Sequence, residues 1–476
     1  MNLSLRNSLV ALAFVETSTL GACALTGKSI VFASDARAVQ FARRFRVILI
    51  AAFATLTGVL CPLAESVADS SLRTVVLLND VPPGVPPGTW YFSLPAPALN
   101  SVGETAFRSV LVSFEGAGPI VRDKTRIAGT GVWSEVGGAL QLVARSGDSV
   151  PGVPDATFQS FSPPTLNAAG QTAFAASFQD SNRSLTVADY SGIFRKRQNN
   201  LDLVIRAGTP AAGIPVDGRI EGFCCGSDAP LFNAAGETAF YSGLYDQSGE
   251  TINTPSSIWS ASNGVPQPIA FAGRQVPGVE HGATFDSLIA DLSLNDAGET
   301  VFWGGLQRNQ EGISEANDEG IWAGNETTLR LVARERNQAP SFEDGVVFYS
   351  VAVGTEDPRI NNLGQTTFVA VVNKAAGSGA FDPEYGVWSE GGGILHLVAR
   401  QGDLAPGASG GARFEYFSRP LINAAGQTAF LASYGNGGWG LFSEGGGSLH
   451  LVAERGAQAP GTPVGTVFSE FMGLVY

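Results

Sequence analysis

The sequence predicts an all-β protein, a β-propeller of four-stranded antiparallel blades. Three observations predict it: one phrase that returns six times, four short extended segments in each period, and a composition rich in turn-forming residues. The phrase is Asn, then Gly three residues on, then Thr and Phe. It begins at Asn100, Asn167, Asn233, Asn295, Asn361 and Asn423, so successive copies lie 67, 66, 62, 66 and 62 residues apart. So regular a period defines a repeat array, and residues that recur in every copy are expected to build the repeat rather than to perform chemistry. The 59 Gly and 26 Pro, beside a charged fraction of only 15%, suit many short strands joined by tight turns.

Within one copy the first extended segment is 157–161, with counterparts at 285–288, 348–351, 414–417 and 468–471. It leads through a proline, as at Pro164, Pro230, Pro358 and Pro420, to the recurring Asn. Asn167-Ala168-Ala169-Gly170 places Asn at the head of a type I turn and Gly where positive φ is needed. The Asn side chain accepts a backbone hydrogen bond, and Gly takes the left-handed angle without steric cost. The second arm of this hairpin is 171–174, rich in Thr and Phe, which favour pleated structure. The third segment is Gly131-Val132-Trp133-Ser134 and its counterparts, and a Gly-rich turn such as Gly391-Gly392-Gly393 leads to the fourth, at 395–400. Apolar residues on both faces of the fourth segment predict a strand packed on two sides.

A four-stranded meander cannot bury both its faces alone, so neighbouring copies must cover one another. The segment 147–152, repeated at 402–407, is predicted to cross from one sheet to the next. Stacked around an axis, such sheets form a propeller, and the period exceeds that of the WD and kelch classes because of the variable loop between second and third strands, at 179–190 or 307–319. Six blades are preferred. A fourth-type strand at 72–78 and a first-type strand at 466–471 leave seven possible. A parallel β-helix is the rival architecture, but its coils are shorter and lack the hairpin turn.

Residues 1–68 read as an N-terminal extension and signal peptide, and 69–476 as the propeller repeat domain. Arg43, Arg44 and Arg46 precede an apolar run of fourteen residues, 47–60, and Ser66-Val67-Ala68 offers small residues for cleavage. That run is short of the roughly twenty residues a membrane span needs, so no stable span is expected after cleavage. The expected location is therefore exported: periplasmic, cell-surface or secreted. The stretch before Arg43 is consistent with a start codon assigned too early. A lipoprotein anchor at Cys61 is disfavoured by the bulky Leu60 before it, and a twin-arginine signal at Arg43-Arg44 finds little support in the residues after the pair. Without residues 1–68 the chain keeps 23 Lys and Arg against 40 Asp and Glu, a net charge of about −17. Nucleic acid is excluded as an expected partner, since an acidic surface repels phosphates.

The phrase NxxGxTAF, its period and the exported context resemble the bacterial exported tandem-repeat proteins with an NxxGxxAF motif, in which various surface anchors follow the repeats. The resemblance covers roughly residues 72–476 and implies an extracytoplasmic repeat protein whose activity is unassigned. The C-terminal 471–476 lacks the apolar helix and basic tail of members with a sorting segment.

The chemistry-bearing residues are few. Cys224 and Cys225 are neighbours, read either as small apolar strand residues or as a strained vicinal disulfide. Of three histidines, His396 and His450 share a slot held elsewhere by Gln141, Asp202, Gln267 and Arg330, which reads as a solvated strand position. No metal site, cofactor or catalytic residue is assigned. Arg145, Arg206, Arg334 and Arg400 recur at the end of the fourth strand and read as structural hydrogen-bonding residues. Better candidates are the non-recurring polar residues near the innermost strand: Asp228, Asp291, Glu356, Asp357, Arg359 and Arg419. Two readings result. One is a noncatalytic exported binding module whose partner is a glycan, a protein or an envelope component. The other is a polysaccharide hydrolase or lyase using channel carboxylates.

Overall fold

The structure is a computed structural model. It describes residues 72–474 apart from 96, 101, 115–124, 136–137, 181–189, 199, 215–217, 224–229, 247–251, 253–256, 263–264, 289–291, 309–311, 352–356, 374–381, 436 and 461–463. Before residue 72 it describes only the backbone of three short strands, Val10–Phe14, Ser29–Val31 and Leu49–Ala52. The signal-peptide residues and the Cys224-Cys225 pair therefore fall largely or wholly outside the described residues.

The chain is all-β, and its described helical turns are the 3-10 segments Glu280–Gly282 and Ser409–Gly411. Six antiparallel sheets of the four-stranded blade type follow one another among the described residues, at 89–145, 156–206, 219–271, 285–334, 347–400 and 414–454. The second sheet shows the plan. Ala156–Phe161 and its continuation Thr165–Leu166 both pair with Thr172–Asp180, which pairs with Ser191–Arg197, which pairs with Asn200–Arg206. The proline that leads into the turn thus interrupts the first strand without ending its partnership.

Two compact units share these sheets. One comprises 26–47 and 70–269 and carries the first three; the other comprises 1–25, 48–69 and 270–476 and carries the last three. In each unit the core lies between successive sheets. Alternation along the strands gives every sheet an aromatic face and a small aliphatic face, because neighbours such as Ile193 and Phe194 point to opposite sides. In the first unit Val132 and Ala144 of the first sheet meet Phe158, Phe174 and Phe194 of the second. In the other unit Val301, Ile321 and Ala333 meet Phe348, Phe368 and Trp388. Large against small is the arrangement that fills such a space to native density.

Each aromatic face is one repeated cluster. The phrase Phe stacks on the third-strand aromatic, with centroids 6.0 Å apart for Phe107 and Trp133, 5.9 Å for Phe174 and Phe194, and 5.8 Å for Phe430 and Phe442. The first-strand aromatic meets the same ring edge-on, at 5.0 Å for Phe158, Phe285 and Phe348. A glycine two residues before the third-strand aromatic makes room for its ring: a Cβ on Gly131 would lie 2.6 Å from Trp133, and one on Gly386 2.7 Å from Trp388.

The fourth strand packs on two sides as the sequence predicts: Leu397 lies against the core shared with the fourth sheet, and Val398 and Ala399 join the core shared with the sixth. Leu203 and Ile205 divide in the same way between the first and third sheets. This strand is the sheet's outer edge, so no strand lies beyond it. A bulge at Val143, Val332 and Val398 twists the edge.

Candidate functional site

The recurring phrase is consumed by structure. Asn167 Oδ1 accepts from the amides of Ala169 and Gln171, 3.1 and 2.9 Å away. Its Nδ2 donates to Gln171 Oε1 at 3.1 Å and, across to the next sheet, to the carbonyl of Asn233 at 2.9 Å. The same cross-sheet bond runs from Asn100 to Asn167, from Asn295 to Asn361 and from Asn361 to Asn423. The turn predicted from sequence is present, with Gly170 N donating to Asn167 O at 3.0 Å and Gly170 at φ 72°. Its glycine has a second cause. The Glu or Gln after each turn presses on the glycine of the next, so a Cβ on Gly170 would lie 2.9 Å from Glu104 Oε2, and one on Gly364 2.8 Å from Glu299 Oε2. The phrase Thr is buried, and Glu135 or Glu390, just past the third strand, accepts from the amide and hydroxyl of Thr105 or Thr366.

One further position recurs in place but not in identity. After each buried first-strand core residue the strand bulges, and the bulged residue is exposed: Gln159, Asp286, Tyr349 and Glu415. Phe92 after the buried Tyr91, and Glu221 after the buried Ile220, are exposed at the same place, just past the end of their strands. The backbone identifies all six alike, because the core residue's carbonyl accepts from the chain just past a preceding outer strand, as in Gly147 N to Phe158 O and Gly208 N to Ile220 O. A bulge re-aims one side chain without disturbing the ladder beyond it. The first unit presents Phe92, Gln159 and Glu221; the other presents Asp286, Tyr349 and Glu415. Sequence reasoning missed this row because its signal is variability at a fixed distance from a core aromatic.

Of the site residues predicted from sequence, Asp228, Asp291 and Glu356 lie outside the described residues. Arg419 has its backbone in the strand Phe414–Ile422, and its side chain lies outside them too. Asp357 and Arg359 are brought together, with Arg359 Nη2 3.2 Å from Asp357 Oδ2 in a partly exposed ion pair. His396 and His450 each place Nδ1 3.0 Å from the carbonyl two residues before, on a solvent-facing strand edge. The recurring arginines act locally: Arg145 pairs with Asp148 at 2.9 Å, Arg334 donates to Asn317 O at 2.9 Å, and Arg400 pairs with Glu384 and lies 4.5 Å over the ring of Phe342.

The fourth sheet holds a carboxyl cluster that sequence reasoning did not find. Glu319 opens its third strand and Glu335 follows its fourth, and antiparallel pairing sets them side by side: Glu335 N donates to Glu319 O at 3.0 Å, and Glu319 N to Glu335 Oε2 at 3.1 Å. Burial first, and the neighbouring Glu319 charge second, push Glu335 up to about 8, and burial raises Glu319 as well. Asp318 beside them is held by Arg308 at 2.5 Å. Glu335 is 5% exposed, so the cluster sits in the wall between sheets. Among the described residues no group of three or more His, Cys, Asp or Glu is placed to hold a metal ion.

Fold and site together define a class: an all-β repeat protein whose recurring residues lock sheet to sheet while one exposed position per sheet varies freely. Residues 63–185 and 176–440 match DUF7453, a family of unknown function, and the chain belongs to that family. No curated protein matches it. Among solved structures it is similar to an ulvan lyase of the polysaccharide lyases bound to -[GlcA(1-4)Rha3S]-, at 9% identity over 76% of this chain and 82% of that one, with a TM-score of 0.32. It is similar also to the Aleuria aurantia lectin in complex with Fucα1-6GlcNAc, at 10% identity over 78% and 96%, TM-score 0.25. The β-propeller domain of the Trilobed protease from Pyrococcus furiosus is similar at 12% identity over 78% and 100%, TM-score 0.26.

Proposed function

We propose that the protein is an exported, noncatalytic binding module that recognises a glycan through the exposed residues that follow each first-strand core residue. The observation that carries this reading is the row itself: every copy exposes a side chain at the same backbone position, and the chemistry differs from copy to copy. Residues that hold the repeat together keep one type because turn, core and seam each demand it. Phe92, Gln159, Glu221, Asp286, Tyr349 and Glu415 stand exposed, where core packing does not fix them. An aromatic face stacks on the C–H face of a sugar ring, and carboxylates and amides hydrogen-bond its hydroxyls. The pair Asp357 and Arg359 adds an opposed charge on the continuation of the strand that bears Tyr349. The exported location rests on the basic and apolar segment before residue 68 and on the resemblance to NxxGxxAF repeat proteins.

A glycan array probed with the purified chain, run beside a hydrolysis and elimination screen on the same glycans, tests the proposal. Binding that is lost in Tyr349→Ser or Phe92→Ser, without turnover, is the expected result. Turnover of a bound polysaccharide overturns the noncatalytic part, and binding unchanged by both substitutions overturns the assigned surface.

A further inference from the structure

We propose that the Glu319 and Glu335 carboxyl pair is a proton-operated latch that fixes the bulge bearing Tyr349, so that the binding surface of the last three sheets is set at low and neutral pH and loosened in alkali. The proposal rests on the glycan-binding reading and shares its surface. Three contacts place the latch. Ser350, the residue after the bulge, donates its hydroxyl to Glu319 Oε2 at 3.2 Å, which ties the first strand of the fifth sheet to the third strand of the fourth. Immediately past Glu335, Arg336 N donates to Phe348 O at 2.9 Å and Phe348 N to Asn337 O at 3.0 Å, so the chain leaving Glu335 flanks the bulge on its other side. Glu319 N donates to Glu335 Oε2 at 3.1 Å, which holds the two carboxyl groups side by side, and burial together with the neighbouring negative charge favours a proton on the pair.

Charged groups of both signs face the pair. Asp318 adds a third carboxylate whose charge raises both glutamates, while Arg308, which it binds, acts on Glu319 in the opposite direction. Arg334 points its Nε to the carbonyl of Asn317, and Glu315 lies beyond Arg308. From the fifth sheet the contact is the neutral Ser350. Loss of the proton leaves two buried carboxylates side by side, and their repulsion is relieved by parting, which releases Ser350. The raised position of Glu335, about 8, sets where this happens.

Amide hydrogen exchange of the peptide covering 347–351, in the full chain, tests the latch by comparison with Glu335→Gln at each pH. The glutamine amide matches the protonated acid in shape and cannot ionise. Equal exchange at pH about 4, and exchange in the wild type that gains on the variant by up to about tenfold per pH unit between about 5 and 8 and then levels off, is expected. Equal exchange throughout overturns the latch. Should the glutamine variant fail to fold, the infrared absorption of a protonated carboxyl in the wild type reads the same group: it is expected at neutral pH and lost in alkali, and its absence at neutral pH overturns the proposal. Neither measurement uses a glycan, so failure of the latch and failure of glycan recognition are read separately.

Discussion

Replacing Asn361 by alanine removes four hydrogen bonds from one buried side chain, and the cost depends on where each bond ends. Asn361 is 2% exposed. Its Oδ1 accepts from Leu363 N and Gln365 N, both at 3.0 Å, and its Nδ2 donates to Gln365 Oε1 and to Asn423 O, both at 2.8 Å. The Leu363 amide belongs to an exposed residue, so water replaces that bond at little cost. The Asn423 carbonyl is different: it lies in the contact between the fifth and sixth sheets, and although it keeps the Gly426 amide at 2.9 Å it loses its buried inter-sheet donor, which costs about 1 kcal/mol. The Gln365 amide and side chain add about 1 kcal/mol, which brings Asn361→Ala to roughly 2 kcal/mol. The neighbouring Asn362 is the control. It also bridges two sheets, donating to Asp296 Oδ2 at 2.7 Å and accepting from Asp296 N at 2.9 Å, but it is exposed, and Asn362→Ala is expected to cost under about 1 kcal/mol. Urea unfolding of the two variants, compared through midpoint and slope, measures the difference. Equal costs, or a cost for Asn361→Ala below about 1 kcal/mol, would refute the assignment of the buried inter-sheet bond as the main term.

Four other outcomes are expected from the same geometry. Gly364→Ala, at φ 74° with its Cβ 2.8 Å from Glu299, is expected to cost roughly 2–3 kcal/mol in urea unfolding, whereas Gly345→Ala, at φ 90° with open space around it, costs about 1 kcal/mol of backbone strain alone. Trp388→Ala is expected to cost about 3–5 kcal/mol, and Trp388→Phe about 2 kcal/mol or less, because Phe194 and Phe442 hold the same slot in other sheets while the bond from Trp388 Nε1 to Pro340 O is lost; urea midpoints rank the two. Since Glu335 is raised when folded, its stabilising contribution is whole below its ordinary value of 4.5 and declines as pH rises through about 8; thermal unfolding should show wild-type Tm falling over that window more steeply than Glu335→Gln. Tyr349→Ser, at a residue 51% exposed, should leave stability within about 0.5 kcal/mol by denaturation while abolishing glycan binding on the array.

The hairpin turns and the order of the strands were legible because each depends on local chemistry. Asn needs its own turn amides, Gly170 needs its angle, and Trp133 needs a glycine two residues before it. What was not legible depends on partners distant in sequence. Nothing near Asn167 shows that its second amide hydrogen reaches Asn233, or that Gly170 is squeezed by Glu104 of the preceding copy. The carboxyl cluster was missed for a related reason: Glu319 and Glu335 lie 16 residues apart and become neighbours only when third and fourth strands pair. The candidates were chosen for not recurring, a criterion that ignores backbone shape, and so it passed over the exposed position that follows each first-strand core residue. Tyr349 and Phe92 escaped notice because an aromatic beside a core aromatic reads as more core.

The asparagine that closes each turn has a consequence for how such a chain changes over generations. Every copy carries the plug, an amide hydrogen, and the socket, a backbone carbonyl, on the same residue, so any copy mates with any other. Duplication, loss or exchange of a whole unit of about sixty-odd residues leaves the junctions chemically identical. The exposed, variable position of each copy can therefore be shuffled by moving entire sheets, with no need to re-match the seams between them.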